Sequence, residues 1–382
     1  VNDLSVYDLK FFEKPLMKPG MIDGVYVSPY NTNFRKMGSV NETLERSCLV
    51  KVKEEIVARV IVGLESHGIE KLSPLTVSEA INGVEDDPYI KRINANTSAG
   101  FSFEGPKCDH LPLIDGNEVM REPSRILSGK IRRIIELYLS EQSAYPVFKG
   151  QLKDEPRSRA KVATGSTRMF FMQSLDFLIV ARMFLAPFYS LMVRYGDIFM
   201  TAVGINMHSE AEDLYCKIEN WSTKIIEGDY GGYDTRMPDG VGDTANAIIY
   251  EVLKHFGYSD DHLKIVAGIL TDNLFPNVEV LLDVFTVPGL QPSGKYATAE
   301  DNSLRGLILL MYAWYSMDCP GSFFDNVLAV IYGDDVLAAS KCDKFNTITY
   351  ASFSNTVYGM EFTDPSKNEV SEEFTMPKDM SF

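Results

Sequence analysis

The stretch Val327-Leu328-Ala329-Val330-Ile331-Tyr332-Gly333-Asp334-Asp335-Val336-Leu337-Ala338-Ala339 sets two apolar runs on either side of Tyr-Gly-Asp-Asp. Apolar runs of this length read as strands, and Gly beside Asp is turn chemistry. The stretch therefore reads as a hairpin with two adjacent carboxylates at its tip. Taken alone, Gly-Asp-Asp is most often only a turn. A second short strand at 224–229 ends on Asp229 and runs into a Gly231-Gly232 turn. Three carboxylates brought together repel one another unless a cation neutralises them. Hard oxygen ligands select Mg²⁺ or Mn²⁺ over Zn²⁺. Two such ions, roughly 3.5–4 Å apart, clamp the attacking and leaving oxygens of an in-line phosphoryl displacement.

Working outward, Asp229-Tyr230-Gly231-Gly232-Tyr233-Asp234 has the spacing D-x4-D, and Ser293, Gly294, Thr298 and Asn302 have the spacing S-G-x3-T-x3-N. With Tyr332-Gly333-Asp334-Asp335 they stand in the order of polymerase motifs A, B and C. The sequence thus resembles the RNA-dependent RNA polymerases of positive-strand RNA viruses, in the picornavirus-like group, with insect iflaviruses or dicistroviruses as the narrower match. Upstream, Lys153-Asp154-Glu155-Pro156-Arg157 with Lys161 and Arg168 resembles motif F, and Thr97-Ser98-Ala99-Gly100 resembles motif G. Downstream, Lys367 falls at the motif D lysine. Motif matches run from about residue 97 to the end, and residues before about 90 match none.

The resemblance implies roles. Asp229 and Asp334 would hold two Mg²⁺ or Mn²⁺ ions, with Asp335 a weaker ligand and the Tyr230 carbonyl an additional one. Lys153, Arg157, Lys161 and Arg168 would bind the triphosphate. Asp234, Ser293 and Asn302 would form a hydrogen-bonded set testing the ribose 2′-hydroxyl, with Thr298 orienting Asn302 or Asp234. Thr97, Ser98 and Gly100 would guide the template, and Lys367 on a mobile loop would protonate the leaving pyrophosphate. Partners would be RNA template and primer, nucleoside triphosphates, a small viral protein primer and replication-complex proteins. The location would be host cytoplasm, at membrane-associated replication complexes. The alternatives are a reverse transcriptase, disfavoured by the Asp234 and Asn302 pair, and a non-catalytic palm acting as a scaffold.

The fold implied is α+β, a right-hand polymerase with fingers and palm. Residues 1–186 would be fingers with motifs G and F, 187–265 palm with motif A, 266–289 a fingers insertion, and 290–382 palm with motifs B, C, D and the start of E. Lys378-Asp379-Met380-Ser381-Phe382 looks like the opening of the motif E hairpin, and the helical thumb that would follow is absent from this chain. Val1 is neither an initiator Met nor the family's processed glycine, which points to release from a precursor or to trimming. Apolar residues at helical spacing predict helices at 54–64, 124–139, 243–256 and 295–315.

Composition bounds the rest. With 382 residues, 45% of them hydrophobic, the chain can build sizeable cores, which excludes disordered and small disulfide-stapled classes. The five cysteines, Cys48, Cys108, Cys216, Cys319 and Cys342, are scattered without a C-x-x-C pair, as in a reduced intracellular protein. Cys108 and His110 have no second pair to complete a zinc site. Residues 175–193 are the most apolar stretch but include Asp176, Arg182 and Pro187, so they read as soluble core rather than a membrane span. Net charge is −16, from 37 Lys and Arg against 53 Asp and Glu. Between residues 121 and 170, however, 11 basic residues face 5 acidic ones, a local +6 that leaves −22 on the remainder. Basic charge concentrated at motif F in an acidic chain predicts weak, salt-sensitive RNA binding.

Overall fold

The computed structural model describes residues 12–380. At its centre lies a four-stranded antiparallel sheet in the order Val327–Tyr332, Asp335–Ser340, Ile225–Tyr230, Phe362–Thr363. The hairpin closes with Tyr332 paired to Asp335, leaving Gly333 and Asp334 as the turn. Gly333 has φ +64° while Asp334 does not share the left-handed region. A positive φ at the first of two turn residues is what a type II′ hairpin asks of glycine.

Side chains alternate along these strands. Ile226, Ala329, Ile331, Val336 and Ala338 join the main core, whereas Ile225, Leu328, Val330, Leu337 and Ala339 pack on the opposite face with Ile218 of helix Ala211–Trp221. Both faces are buried, which is why the strands read as unbroken apolar runs. Behind the main face, helices Arg46–Ser66, Val241–His255 and Thr298–Ser316 pack on one another, the last also against strand Val327–Tyr332. Leu304, Leu307, Ile308, Leu310 and Met311 are fully or almost fully buried, each such side chain contributing about 1.5–3 kcal/mol.

A second four-stranded sheet runs Met169–Met172, Val147–Leu152, Asn277–Val280, Asp283–Thr286. Its central pair is parallel, so residues 277–286 return to pair with a strand far earlier in the chain. The apolar stretch at 175–193 is helix Leu175–Arg194, long and apolar enough to cross a membrane by length and composition, yet 83% of that window is buried in protein. Arg182 within it is satisfied by the carbonyls of Ala80 and Lys91. The helix at 54–64 extends further, from Arg46 to Ser66. Near the C-terminus, Pro377–Asp379 form a single 3-10 turn, and Ser381 and Phe382 of the expected motif E opening lie outside the described residues. All five cysteines are free.

Candidate active site

Strand register builds the acidic floor of the site. Asp335 lies opposite Asp229 in the antiparallel ladder, and Thr363 flanks Asp229 on its other side. The turn bearing Asp334 is tied to the neighbouring helix, because Gly333 N–H donates to Ser303 Oγ at 2.9 Å. Asp334 and Asp335 are exposed and Asp229 is half-buried. Burial first, then the charge of Asp334, raises the Asp335 pKa above its ordinary value. Tyr230 ends the strand with its ring buried and its hydroxyl paired to Tyr350, so only its main chain faces the site's end of the strand.

The expected three-carboxylate cluster is only partly assembled. Among the described residues, no three His, Cys, Asp or Glu side chains are grouped so as to hold a metal ion. Instead the Lys367 ammonium pairs with Asp229 Oδ2, supplying the positive charge that mutually repelling carboxylates need. Asp229 Oδ1 is buried without a hydrogen-bond partner. That orphaned oxygen, on the strand residue opposite Asp335, is the kind of donor a hard divalent cation such as Mg²⁺ or Mn²⁺ takes. Lys367 sits on the loop after Phe362–Thr363 with its side chain 61% exposed.

The residues expected to sense ribose are joined through an intermediary. Asn302 Oδ1 accepts from Gln291 Nε2 at 2.8 Å, and Gln291 N–H donates to the Asp234 carbonyl at 2.9 Å. Direct side-chain hydrogen bonds among Asp234, Ser293 and Asn302 are not formed among the described residues. Thr298 is hydrogen-bonded through its side chain to neither Asn302 nor Asp234: as the first helical residue its hydroxyl turns back to its own loop, donating to the Lys295 carbonyl at 2.9 Å. Asp234 is pushed up to about 6 by burial first and then by Asp334, against the pull of Arg168, Lys295 and Lys153. Asp234 thus feels the charge of both the acidic turn and the basic loop.

The basic loop is held around one carboxylate. Glu155 meets Arg157 at 3.5 Å, Lys153 at 3.8 Å and Arg168 at 3.9 Å, while Arg157 also donates to the Ser166 carbonyl at 3.1 Å. Lys161 is exposed. The first described residues, which match no motif, roof this loop. Phe12–Glu13 pairs with Arg157–Ser158, and Asn33 on helix Pro29–Met37 donates to the Thr167 carbonyl at 2.9 Å. Lys36 of that helix has its pKa lowered by burial and then by Arg157, Lys161, Arg236 and Arg168. Lys36 and Arg236 are thus additional cations that no motif had marked.

The motif G segment joins the same assembly. Thr97 Oγ1 and the Ser98 carbonyl both accept from Lys107 Nζ, the latter at 2.9 Å, and Gly100 N–H donates to Ser98 Oγ at 3.2 Å. Ala99 accepts from Leu175 N–H at 2.9 Å. Gln173 links the motif F strand to motif B, its Oε1 accepting from Tyr296 N–H at 2.8 Å. Gly294 must be glycine for this packing, because a Cβ there would lie 2.4 Å from the Phe171 carbonyl oxygen. Elsewhere, His110 is hydrogen-bonded to the Glu104 carbonyl and His255 to Glu65.

An acidic turn borne on a sheet, a basic loop and the polar start of a helix all act on Asp234, whose carboxyl feels Asp334, Arg168, Lys295 and Lys153. The viral RNA-dependent RNA polymerase family model matches residues 57–382, and the chain belongs to that family. It is 25% identical to the replicase polyprotein of Drosophila C virus (strain EB) over 92% of this chain and 21% of that protein. It is 28% identical to the deformed wing virus genome polyprotein over 77% and 11%, and 25% identical to that of human parechovirus 2 (strain Williamson) over 75% and 13%. The chain therefore spans at most 21% of the length of these relatives. Its fold matches the Sicinivirus 3Dpol RNA dependent RNA polymerase with a TM-score of 0.83 at 19% identity, covering 97% of this chain and 74% of that one. The picornavirus-like resemblance and the α+β polymerase fold read from the motifs both hold.

Proposed function

We propose that this chain carries the catalytic centre for template-directed RNA synthesis from nucleoside triphosphates, releasing pyrophosphate. The observation that carries the reading is the register: Asp229 and Asp335 face each other beside a turn that presents Asp334, within electrostatic reach of Asp234 and the basic loop. Asp229, Asp334 and Asp335, with the Tyr230 carbonyl, would hold two Mg²⁺ or Mn²⁺ ions. Bound there, such ions lower the pKa of the primer 3′-hydroxyl and neutralise triphosphate charge. In the step itself the primer 3′-hydroxyl gives up its proton to solvent water and its oxygen bonds to the α-phosphorus as the α–β bridging P–O bond breaks.

Lys153, Arg157, Lys161 and Arg168 bind the triphosphate, and their preorganised charge favours the transition state. Lys367 gives its proton to the departing pyrophosphate. It must first leave Asp229, and an exposed lysine on a short loop can do so. Thr97, Ser98 and Gly100 guide the template strand. Asp234, Ser293 and Asn302 read the ribose 2′-hydroxyl, the group that separates ribonucleotides from deoxyribonucleotides. The family's habits add a small protein primer uridylylated at this site, other replication proteins as partners, and work in host cytoplasm at membrane-associated replication complexes.

The deciding experiment measures nucleotide incorporation on a primed RNA template by the full-length natural protein, with Mg²⁺ or Mn²⁺, beside its Asp334→Ala variant. Incorporation of ribonucleotides by the parent and none by the variant is expected. Equal products from both would return the chain to a scaffold role. Equal use of ribo- and deoxyribonucleotides would remove the ribose reading.

A further inference from the structure

Gln291 stands two residues before Ser293 and is only 1% exposed. Its main-chain N–H holds Asp234, as described above, and its side-chain Nε2 donates both to Asp301 Oδ2 and to Asn302 Oδ1. One residue thus touches motif A through its backbone and motif B through its amide.

Charge fixes the direction of these bonds. Asp301 Oδ2 also accepts from Lys295 Nζ at 2.8 Å and from Arg305 Nε at 2.8 Å. Burial would raise the Asp301 pKa, but Arg305 and Lys295 hold it well below the usual carboxylate range. An ionised carboxylate can only accept, so the amide end facing it must be NH₂. Gln291 cannot turn over, and its Oε1 stays buried without a partner as the cost of this orientation. The same nitrogen faces Asn302, which must answer with its carbonyl oxygen. The Asn302 NH₂ is left as the end directed away from Gln291.

Resting on the polymerase reading above, we propose that Gln291 and Asp301 are positioning residues that lock the Asn302 amide as a donor to the ribose 2′-hydroxyl. Neither touches the substrate. A hydroxyl has a single proton to donate, and an ionised Asp234 consumes it. The hydroxyl oxygen then needs a donor, which the NH₂ end of Asn302 supplies beside the rotatable Ser293 hydroxyl. A reversed amide would set two acceptors against one proton. The buried ion pairs beside Gln291 therefore act on substrate choice through two successive amides.

The test uses Gln291→Met in the full-length natural protein, a change that keeps length and volume but removes the relay. Single-nucleotide kcat/KM is measured for UTP and for 2′-deoxy-UTP on a primed RNA template. The ribonucleotide value should fall about tenfold, the size of one hydrogen bond, with the deoxyribonucleotide value unchanged. An unchanged ratio overturns the proposal, and so does an equal loss on both substrates, which is what general loosening would give. Should that variant not fold, Gln291→Ser leaves room for a water able to face either way, and the same fall in ratio is expected. A parent protein that incorporates nothing overturns the polymerase reading itself. A parent that discriminates, beside a variant that discriminates equally, sinks only the role of Gln291.

Discussion

Asp229 and Asp335 face each other across a sheet register, whereas Lys153, Arg157 and Arg168 surround Glu155 on a loop at 3.5–3.9 Å. The first arrangement is set by backbone hydrogen bonds and two buried sheet faces, so it persists whatever the side chains do. The second depends on long, partly exposed side chains, whose ion pairs individually contribute about 0–1 kcal/mol. The acidic floor is therefore rigid and without redundancy, and the basic roof is adaptable and shared among several cations. One carboxylate lost from the floor removes a function; one cation lost from the roof is diluted among its neighbours.

The largest expected effect is on the floor. Asp334→Ala should lower the incorporation rate by at least roughly 10²–10³, the scale on which a single preorganised charge-stabilising group is lost. Because Asp334 is exposed and the turn depends on Gly333, the unfolding free energy of the variant by urea titration should stay within about 0.5 kcal/mol of the parent. Retention of more than a tenth of the rate would erase the contrast between floor and roof. Next comes the buried ion cluster between them. Asp301→Ala strands Lys295 and Arg305 in the core and should destabilise the fold by about 3–5 kcal/mol. Glu155→Ala, which removes the anion at the centre of the roof, should cost no more than about 1 kcal/mol by the same urea titration.

What was legible in the sequence follows the same division. The hairpin tip, the strand ending near Asp229 and the helices behind them were readable because each is local: apolar runs, a Gly turn and 3.6-residue spacing. The picornavirus-like motifs then supplied the order of parts. The cations of the roof were read as motif F, but the segments that brace them were not legible, since Phe12–Glu13 and helix Pro29–Met37 reach motif F only through pairings more than a hundred residues apart. Lys36 and Arg236 carry no local mark at all. The relay through Gln291 was missed as well, although one sign of it was visible: Asp301 and Arg305 are charged residues four apart on the buried face of an apolar helix. The extent of helix Arg46–Ser66 was underestimated because Arg46, Lys51 and Lys53 interrupt its apolar stripe, which continues through Leu49 and Val52.

A smaller effect is expected from a single change in the roof. Arg168→Ala should raise KM for the incoming nucleotide by about tenfold, the range of one charge-assisted hydrogen bond, with kcat less affected. Added salt should shrink the difference between variant and parent, because Arg168 is exposed and its field is screened. A loss as large as that of Asp334→Ala would mean that the roof is as unforgiving as the floor. Removing Lys36 in addition to Arg168 measures the redundancy directly, and the double variant should lose more than either single change.

The smallest effect joins the two regions, because Asp234 feels both. Its carboxyl is pushed from 3.8 up to about 6, by burial and Asp334 upward and by Arg168, Lys295 and Lys153 downward. A folded-state value raised above the unfolded one means that the folded chain holds the proton more tightly. The contribution of Asp234 to stability is therefore fully present below pH 3.8 and is lost as pH rises to about 6. Function runs the opposite way, since only the ionised carboxylate can accept from a ribose hydroxyl. The preference for ribonucleotide over deoxyribonucleotide should thus rise about fourfold between about pH 5.5 and 7.5, and Asp234→Asn should flatten the profile. The two regions then move this midpoint in opposite directions. Asp334→Asn removes a repelling charge and should shift it to lower pH, followed by direct titration of the carboxyl where turnover is too slow. Arg168→Ala removes an attracting charge and should shift it to higher pH. Shifts of the same sign from both variants would mean that Asp234 does not lie between the floor and the roof.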